Sequence, residues 1–95
     1  MHVISRRVLR QFWERYPDSE TPLVRWFKIM DQHDFGSLDE LRATFPTADM
    51  VGDLIVFNVG GNKYRLVLSI HFNRGKVYVR HILTHQEYNK GAWKK

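Results

Sequence analysis

The hydrophobic period of this chain changes at Pro46, and that change limits what it can fold into. Before Pro46 the apolar residues recur at helical spacing; after it they alternate. Val8, Leu9, Phe12, Trp13 and Tyr16 fall on one face of a helix that Ser5 can cap and Pro17 stops. Leu23, Trp26, Phe27 and Met30 mark a second helix to about Asp31, with Thr21-Pro22 as its N-cap and first residue. Ser37-Leu38-Asp39-Glu40 is a capping-box pattern opening a short third helix that ends near Phe45-Pro46. Beyond it, Leu54–Val59, Lys63–Phe72 and Lys76–Thr84 read as strands, joined by turns at Gly60-Gly61-Asn62 and Asn73-Arg74-Gly75. Met1–Ile4 is a short first strand. The expected order is β-α-α-α-β-β-β, an α+β domain with helices packed on one face of an antiparallel sheet.

A chain of 95 residues makes one domain, residues 1–95, and its 43% hydrophobic content suffices for one core. The absence of cysteine excludes disulfides and thiolate metal sites. No apolar stretch nears the roughly 18 residues of a membrane span, and the N-terminus lacks the apolar run of a signal peptide. A cytoplasmic protein without membrane contact is expected.

Charge is unevenly spread. Residues 1–50 carry seven Lys/Arg and eight Asp/Glu, while residues 51–95 carry eight Lys/Arg against Asp53 and Glu87 alone. A net of −1 in one half and +6 in the other makes one side electropositive, which suits a polyanion such as RNA. An acidic protein partner would suit it too.

A tight hairpin at Asn73–Gly75 pairs residues whose numbers sum to about 147–149. An odd sum puts Lys63, Arg65 and Arg80 on the face opposite the aliphatic residues, with Tyr78 beside them. The two arginines then stand roughly 7–13 Å apart, within reach of one or two phosphates. Thr84-His85-Gln86-Glu87-Tyr88 follows directly and can bring His85 and Tyr88 to the rim of that face. Asn62, Lys76 and Lys90 extend the basic surface as further RNA contacts. Each residue also has a plainer use: Lys63 as an edge-strand charge, Arg65 and Arg80 as solvated strand residues, Tyr78 as packing for Arg80, Tyr88 as a core aromatic. Glu87 reads as a helix-start or ion-pair residue rather than a base.

His81 and His85 have the i, i+4 spacing of a helical zinc site. On a strand they stand some 13 Å apart, so no metal site is expected. His81 falls in phase with Val77, Val79 and Leu83 and is expected to be buried. His33 and His71 look like turn or surface residues. No Walker motif, dinucleotide fingerprint or nucleophile elbow is present.

Taken together, Phe57-Asn58-Val59-Gly60-Gly61-Asn62-Lys63-Tyr64-Arg65-Leu66, Tyr78-Val79-Arg80 and Thr84-His85-Gln86-Glu87-Tyr88 resemble the HigB family of toxins within the RelE superfamily. Met1–Ser5, Phe12-Trp13, Tyr16-Pro17 and Phe45–Asp49 carry the same likeness, which covers nearly the whole chain. The resemblance implies an mRNA endonuclease of a type II toxin–antitoxin pair, acting on mRNA in the ribosomal A site without metal or other cofactor. It also implies a helix-turn-helix antitoxin of the HigA type. In such a mechanism Arg65 and Arg80 clamp the scissile phosphate, Lys63 contacts the backbone, His85 exchanges protons and Tyr88 orients the 2′-OH or stacks on a base. HigB-like chains often have Asp after the Glu-Tyr pair, where this chain has Asn89. Two other readings compete: a non-catalytic RNA-binding module or inactivated toxin relative, and a protein-interaction domain whose basic half docks acidic helices.

Overall fold

The computed structural model describes residues 1–4 and 6–94, so the expected Ser5 cap lies outside the described residues. Strand β1 (His2–Ile4) leads into α1 (Arg6–Arg15), α2 (Glu20–Gln32) and α3 (Leu38–Thr44). Strands β2 (Asp49–Val51), β3 (Leu54–Val59), β4 (Tyr64–His71) and β5 (Lys76–Thr84) follow, then a short helix α4 (His85–Lys90). The expected α+β architecture is present, with two elements the periodicity did not show. β2 is three residues long and α4 six, too short for either period to register.

The strands form one sheet in the order β1-β5-β4-β3-β2. Its hairpin neighbours are antiparallel, but β1 lies parallel to β5, with Val3 opposite Val77. The sheet is therefore mixed, not antiparallel throughout. The reason is topological: β1 and β5 are the first and last strands, joined not by a hairpin but through the helices and the three strands between them, so they can run the same way.

Helix starts depart from expectation in one place. α2 begins at Glu20, preceded by a 3₁₀ turn at Pro17–Ser19, so Thr21 is not its cap. Pro22 sits in the first turn, where a missing N–H costs no intrahelical bond. Ser37 does cap α3, accepting from the Glu40 backbone N–H at 3.2 Å, while the Glu40 carboxylate takes the Gly36 N–H.

The two faces of β4 serve different cores. Tyr64, Leu66 and Leu68 turn toward α1, α2 and α3 and join Leu9, Leu23, Trp26, Met30, Leu41 and Phe57 in the main core. Val67 turns the other way and packs with Val56 and Trp93, flanked by Leu83 and Tyr88. So the helices are not all on one face; α4 and the C-terminal turn cover part of the other.

β5 carries an irregularity that the odd-sum register did not foresee. Ser69–His71 pair with an odd sum, Tyr64–Val67 with an even one, and Arg80 is the extra residue between Val79 and His81. This bulge reverses the phase of the strand. His81 consequently leaves the face of Val77 and Val79. It is half-exposed beside Trp93 rather than buried in the core, with ring centroids 6.4 Å apart.

One polar cluster ties the 3₁₀ turn to β4. The Asp18 carboxylate accepts from the Tyr64 hydroxyl and from Lys63 Nζ at 2.9 Å. Those bonds, Tyr64's first, hold Asp18 below its ordinary 3.8, and the same carboxylate, with burial, pushes the Tyr64 phenol up to about 12. Asp18's contribution to stability is complete above its ordinary value and is lost as pH falls through the lower folded value. The phenol's contribution is complete below its ordinary 10.0 and is lost as pH rises through about 12. Asp18→Asn should therefore lower the urea midpoint at neutral pH, with the gap from the parent narrowing in acid and again in strong alkali. A gap constant across that range would show that ionisation of the cluster contributes nothing. In the core, Leu68 is fully buried, and Leu68→Ala should cost about 2–5 kcal/mol in urea unfolding.

Candidate active site

The end of β5 turns directly into α4, and the turn is defined by a capping box. The Thr84 hydroxyl accepts from the Glu87 N–H, and the Glu87 carboxylate accepts from the Thr84 N–H at 2.9 Å. Glu87 is thus spent on the helix start, as the sequence suggested. The His85 N–H donates to the Lys63 carbonyl at 2.9 Å, which docks α4 against the β3–β4 turn. Gly91, left-handed at φ 73°, ends the helix.

Arg65 stands beside this helix, on the face of β4 opposite the main core. It is only 8% exposed. Its Nη1 donates to the Asn62 and Tyr64 carbonyls at 3.1 and 3.2 Å, and its Nη2 lies 3.1 Å from His85 Nδ1. The guanidinium carbon sits 5.4 Å from the centre of the Tyr88 ring. No carboxylate lies within ion-pair distance of it among the described residues. A nearly buried cation held only by neutral groups retains an unmet demand for an anion. With five donors in all, it keeps Nε–H and one Nη2–H for such a group.

His85 is exposed and touched at both ring nitrogens. Arg65 can only donate, so Nδ1 accepts and the neutral ring carries its proton on Nε2. The Asn89 amide nitrogen is placed 3.1 Å from Nε2. Two donors cannot bond one another, so the amide belongs the other way round, its oxygen accepting from Nε2–H. Asn89, one helical turn after His85, supplies the contact an acid would make at that position.

Tyr88 is half-buried between Arg65 and Trp93, with the indole stacked on its ring at 5.1 Å and Trp93 Nε1 donating to its carbonyl at 3.0 Å. Sequence reasoning did not assign Trp93 to the site, and it marked Asn89 only as a departure from the family pattern. The capping box at Thr84–Glu87 was the available signal, since a helix there puts Asn89 one turn above His85.

The other expected residues are distributed unevenly. Lys63 lies in the turn rather than in β4, exposed and paired with Asp18, beside His85 in a shallow pocket with Gln86 and Tyr16. Asn62 contributes its carbonyl to Arg65, and Lys90 is exposed at the last turn of α4. Lys76 and Tyr78 lie at the opposite end of β5, paired with His71 and Ser69, so they do not join Arg65. From Ser69 to Arg65 is four residues of strand, roughly 13 Å. Tyr78 packs on His71, not on Arg80. Arg80 is exposed on the same side of the sheet as Arg65. It lines a separate groove with His81 and Trp93, beyond the stacked Tyr88–Trp93 pair.

The site thus unites Arg65, His85, Asn89, Tyr88 and Lys63 at one end of the sheet, a constellation of cation, imidazole and phenol that suits a phosphodiester. No helix among the described residues is long and apolar enough to cross a membrane. A family model, HigB_toxin, described as the RelE-like toxic component of a toxin-antitoxin system, matches residues 19–91. The chain is 37% identical over 92 residues to the mRNA interferase toxin HigB of Escherichia coli K12, covering 94% of this chain and 88% of that protein. The mRNA interferase HigB of Shigella flexneri matches with the same identity and coverage. That of Escherichia coli O6:H1 is 31% identical over 93 residues, covering 95% of this chain and 90% of its own. With a family match over most of its length and relatives above 30% identity across nearly all of it, this chain belongs to the HigB family of RelE-like toxins.

Proposed function

We propose that this chain is an mRNA interferase, the toxin of a type II toxin–antitoxin pair, and that it cuts RNA around Arg65 and His85. The observation that carries the reading is Arg65: a guanidinium nearly sealed in protein, without a carboxylate, beside an exposed imidazole. Following the family resemblance, a ribose 2′-OH attacks the adjacent phosphorus without a metal. The O2′–P bond forms as the 2′ proton leaves, the P–O5′ bond breaks, and the departing O5′ takes up a proton. The ends produced are a 2′,3′-cyclic phosphate and a 5′-hydroxyl.

Arg65 donates to the non-bridging oxygens, whose charge grows as phosphorus becomes five-coordinate. When Arg65 turns its Nη2–H from His85 to the phosphate, the freed Nδ1 takes up a proton, and the imidazolium so formed gives one up from Nε2, held on the protein side only by the exposed Asn89 amide. Arg65 and Trp93 cover the Tyr88 ring, so its hydroxyl, not its face, reaches the substrate. Lys63 contacts the neighbouring backbone. Its pair with Asp18 is exposed to water, is weak there, and exchanges readily for a phosphate. Arg80 lines the neighbouring groove on the same side of the sheet. The mRNA is cut on the ribosome, and a helix-turn-helix antitoxin of the HigA type restrains the toxin in the cytoplasm.

Arg65→Ala should lower the cleavage rate about 10²–10³-fold, as loss of one oxyanion donor does elsewhere. His85→Ala should lower it about 10²–10⁴-fold. Growth arrest on induction and primer extension on ribosome-bound mRNA read both effects, with circular dichroism to confirm folding. Full growth arrest by the His85 variant would remove His85 from the mechanism. RNA binding without cleavage by the unaltered chain would favour the non-catalytic reading.

A further inference from the structure

The site just described leaves a larger groove unused. On the same open side of the sheet a depression of about 560 Å³ is lined by Arg80 and His81 from β5, Ser69 from β4, Asp53 from the β2–β3 turn, and Trp93 and Lys94. That volume falls within the about 300–1,000 Å³ of small-molecule sites. Its lining residues run from β5 past β4 to the β2–β3 turn, a span of roughly 10 Å at ordinary strand spacing.

Resting on the interferase reading, we propose that this groove is a second nucleotide subsite, holding a residue of the same RNA strand near the one being cut. Its phosphate lies on Arg80 and Lys94, and its base presents an amino edge to Asp53.

Continuity with the first site is the first argument. Arg65 packs on Tyr88, Tyr88 stacks on Trp93, and Trp93 walls the groove. A strand leaving the Arg65 end therefore crosses one aromatic pair and enters the groove without changing sides of the sheet. Charge is the second. Arg80 is exposed and has no carboxylate within ion-pair distance among the described residues, and Lys94 Nζ lies 5.7 Å from the Trp93 ring centre. Asp53 is likewise exposed and outside every ion pair among the described residues. Two cations and one carboxylate lining the same groove match a nucleotide, which is anionic at its phosphate and offers hydrogen-bond donors at its base edge. A uniformly acidic peptide would meet Asp53 as a like charge. The bulge is the third argument. It frees Arg80 from strand pairing and turns His81 to this side, as bulges beside functional sites do.

The test is binding of short 2′-O-methyl RNA, which lacks the attacking hydroxyl and cannot be cut, followed by fluorescence anisotropy at several salt concentrations. Arg80→Ala together with Lys94→Ala should weaken binding at least tenfold on every sequence. Arg80→Ala alone should make the salt dependence shallower by about one phosphate contact, and Arg80→Lys should restore most of it. Asp53→Ala should instead erase discrimination against uracil at one position, since uracil alone among the four bases lacks an exocyclic amino group. An unchanged affinity and salt slope in the double variant would overturn the proposal, as would the absence of measurable RNA binding by the unaltered chain. Loss of binding to an acidic peptide with none for RNA would make the groove a protein-docking surface and overturn it too. Cleavage of unmodified RNA is scored separately. Should the chain cut RNA while its affinity ignores Arg80, the subsite fails alone; should Arg80 govern binding while nothing is cut, the interferase reading fails alone.

Discussion

A guanidinium taken out of water without a carboxylate must be held by other means, and the C-terminal end of this molecule is arranged around that need. Removing an ion from water costs several kcal/mol even after relaxation. Arg65 recovers that cost through two carbonyl oxygens, an imidazole nitrogen and an aromatic face. Hydrogen bonds to a charged group are worth about 1.5–3 kcal/mol each, and a partly desolvated cation–π contact about 0.5–2. The partners balance the burial without neutralising the charge. A carboxylate in the same place would have given a quiet structural ion pair. Neutral partners instead keep the cation positioned and still able to attract a phosphate, which is the preorganisation that phosphoryl chemistry rewards.

The supports for Arg65 come from segments distant in sequence, and this explains which parts of the site were legible. Helices and strands announced themselves because β4 alternates and α1 and α2 repeat at helical spacing. Arg65 could be assigned to the outer face of β4 from parity alone. His85 and Tyr88 could be placed near it because they follow β5 without a linker. What parity could not show was a one-residue insertion in the partner strand. The bulge at Arg80 moved His81 out of phase with Val77 and Val79, while Arg80 itself stayed on the Arg65 side and lines the neighbouring groove. A bulge leaves no mark in hydrophobic alternation when the extra residue is itself polar and exposed. Tyr78 and Lys76 were misplaced for a simpler reason: they share a side with Arg65, yet a strand is long, and sharing a face does not bring its two ends together.

β2 and α4 escaped notice because three and six residues carry too little pattern, but the consequences differ. β2 only extends the sheet, whereas α4 sets the geometry of the site. The Thr84–Glu87 capping box was visible in the sequence, and with it the i, i+4 relation of His85 to Asn89. The exchange of an acid for Asn89 then changes meaning. An amide oxygen orients the imidazole as an acid would and fixes the same tautomer, but it brings no negative charge to the Nε2 side of the ring.

Helix α4 is far shorter than the roughly 12–15 residues at which isolated helices become even marginal, so its order must come from contacts outside itself. Those contacts are few and specific: the capping box at its start, the His85 N–H on the Lys63 carbonyl, the left-handed Gly91 at its end, and Trp93 stacked on Tyr88. All but the capping box involve proposed site residues: the Lys63 carbonyl takes the His85 N–H, the Gly91 N–H bonds the Tyr88 carbonyl, and Trp93 stacks on Tyr88 and walls the neighbouring groove. The main core beneath β4 is built from other residues and does not depend on these bonds. Stability is therefore divided, with a robust helix–sheet body carrying a functional end held by a handful of local interactions. Loss of α4's anchors would release His85 and Tyr88, while the Asn62 and Tyr64 carbonyls still held Arg65 on β4.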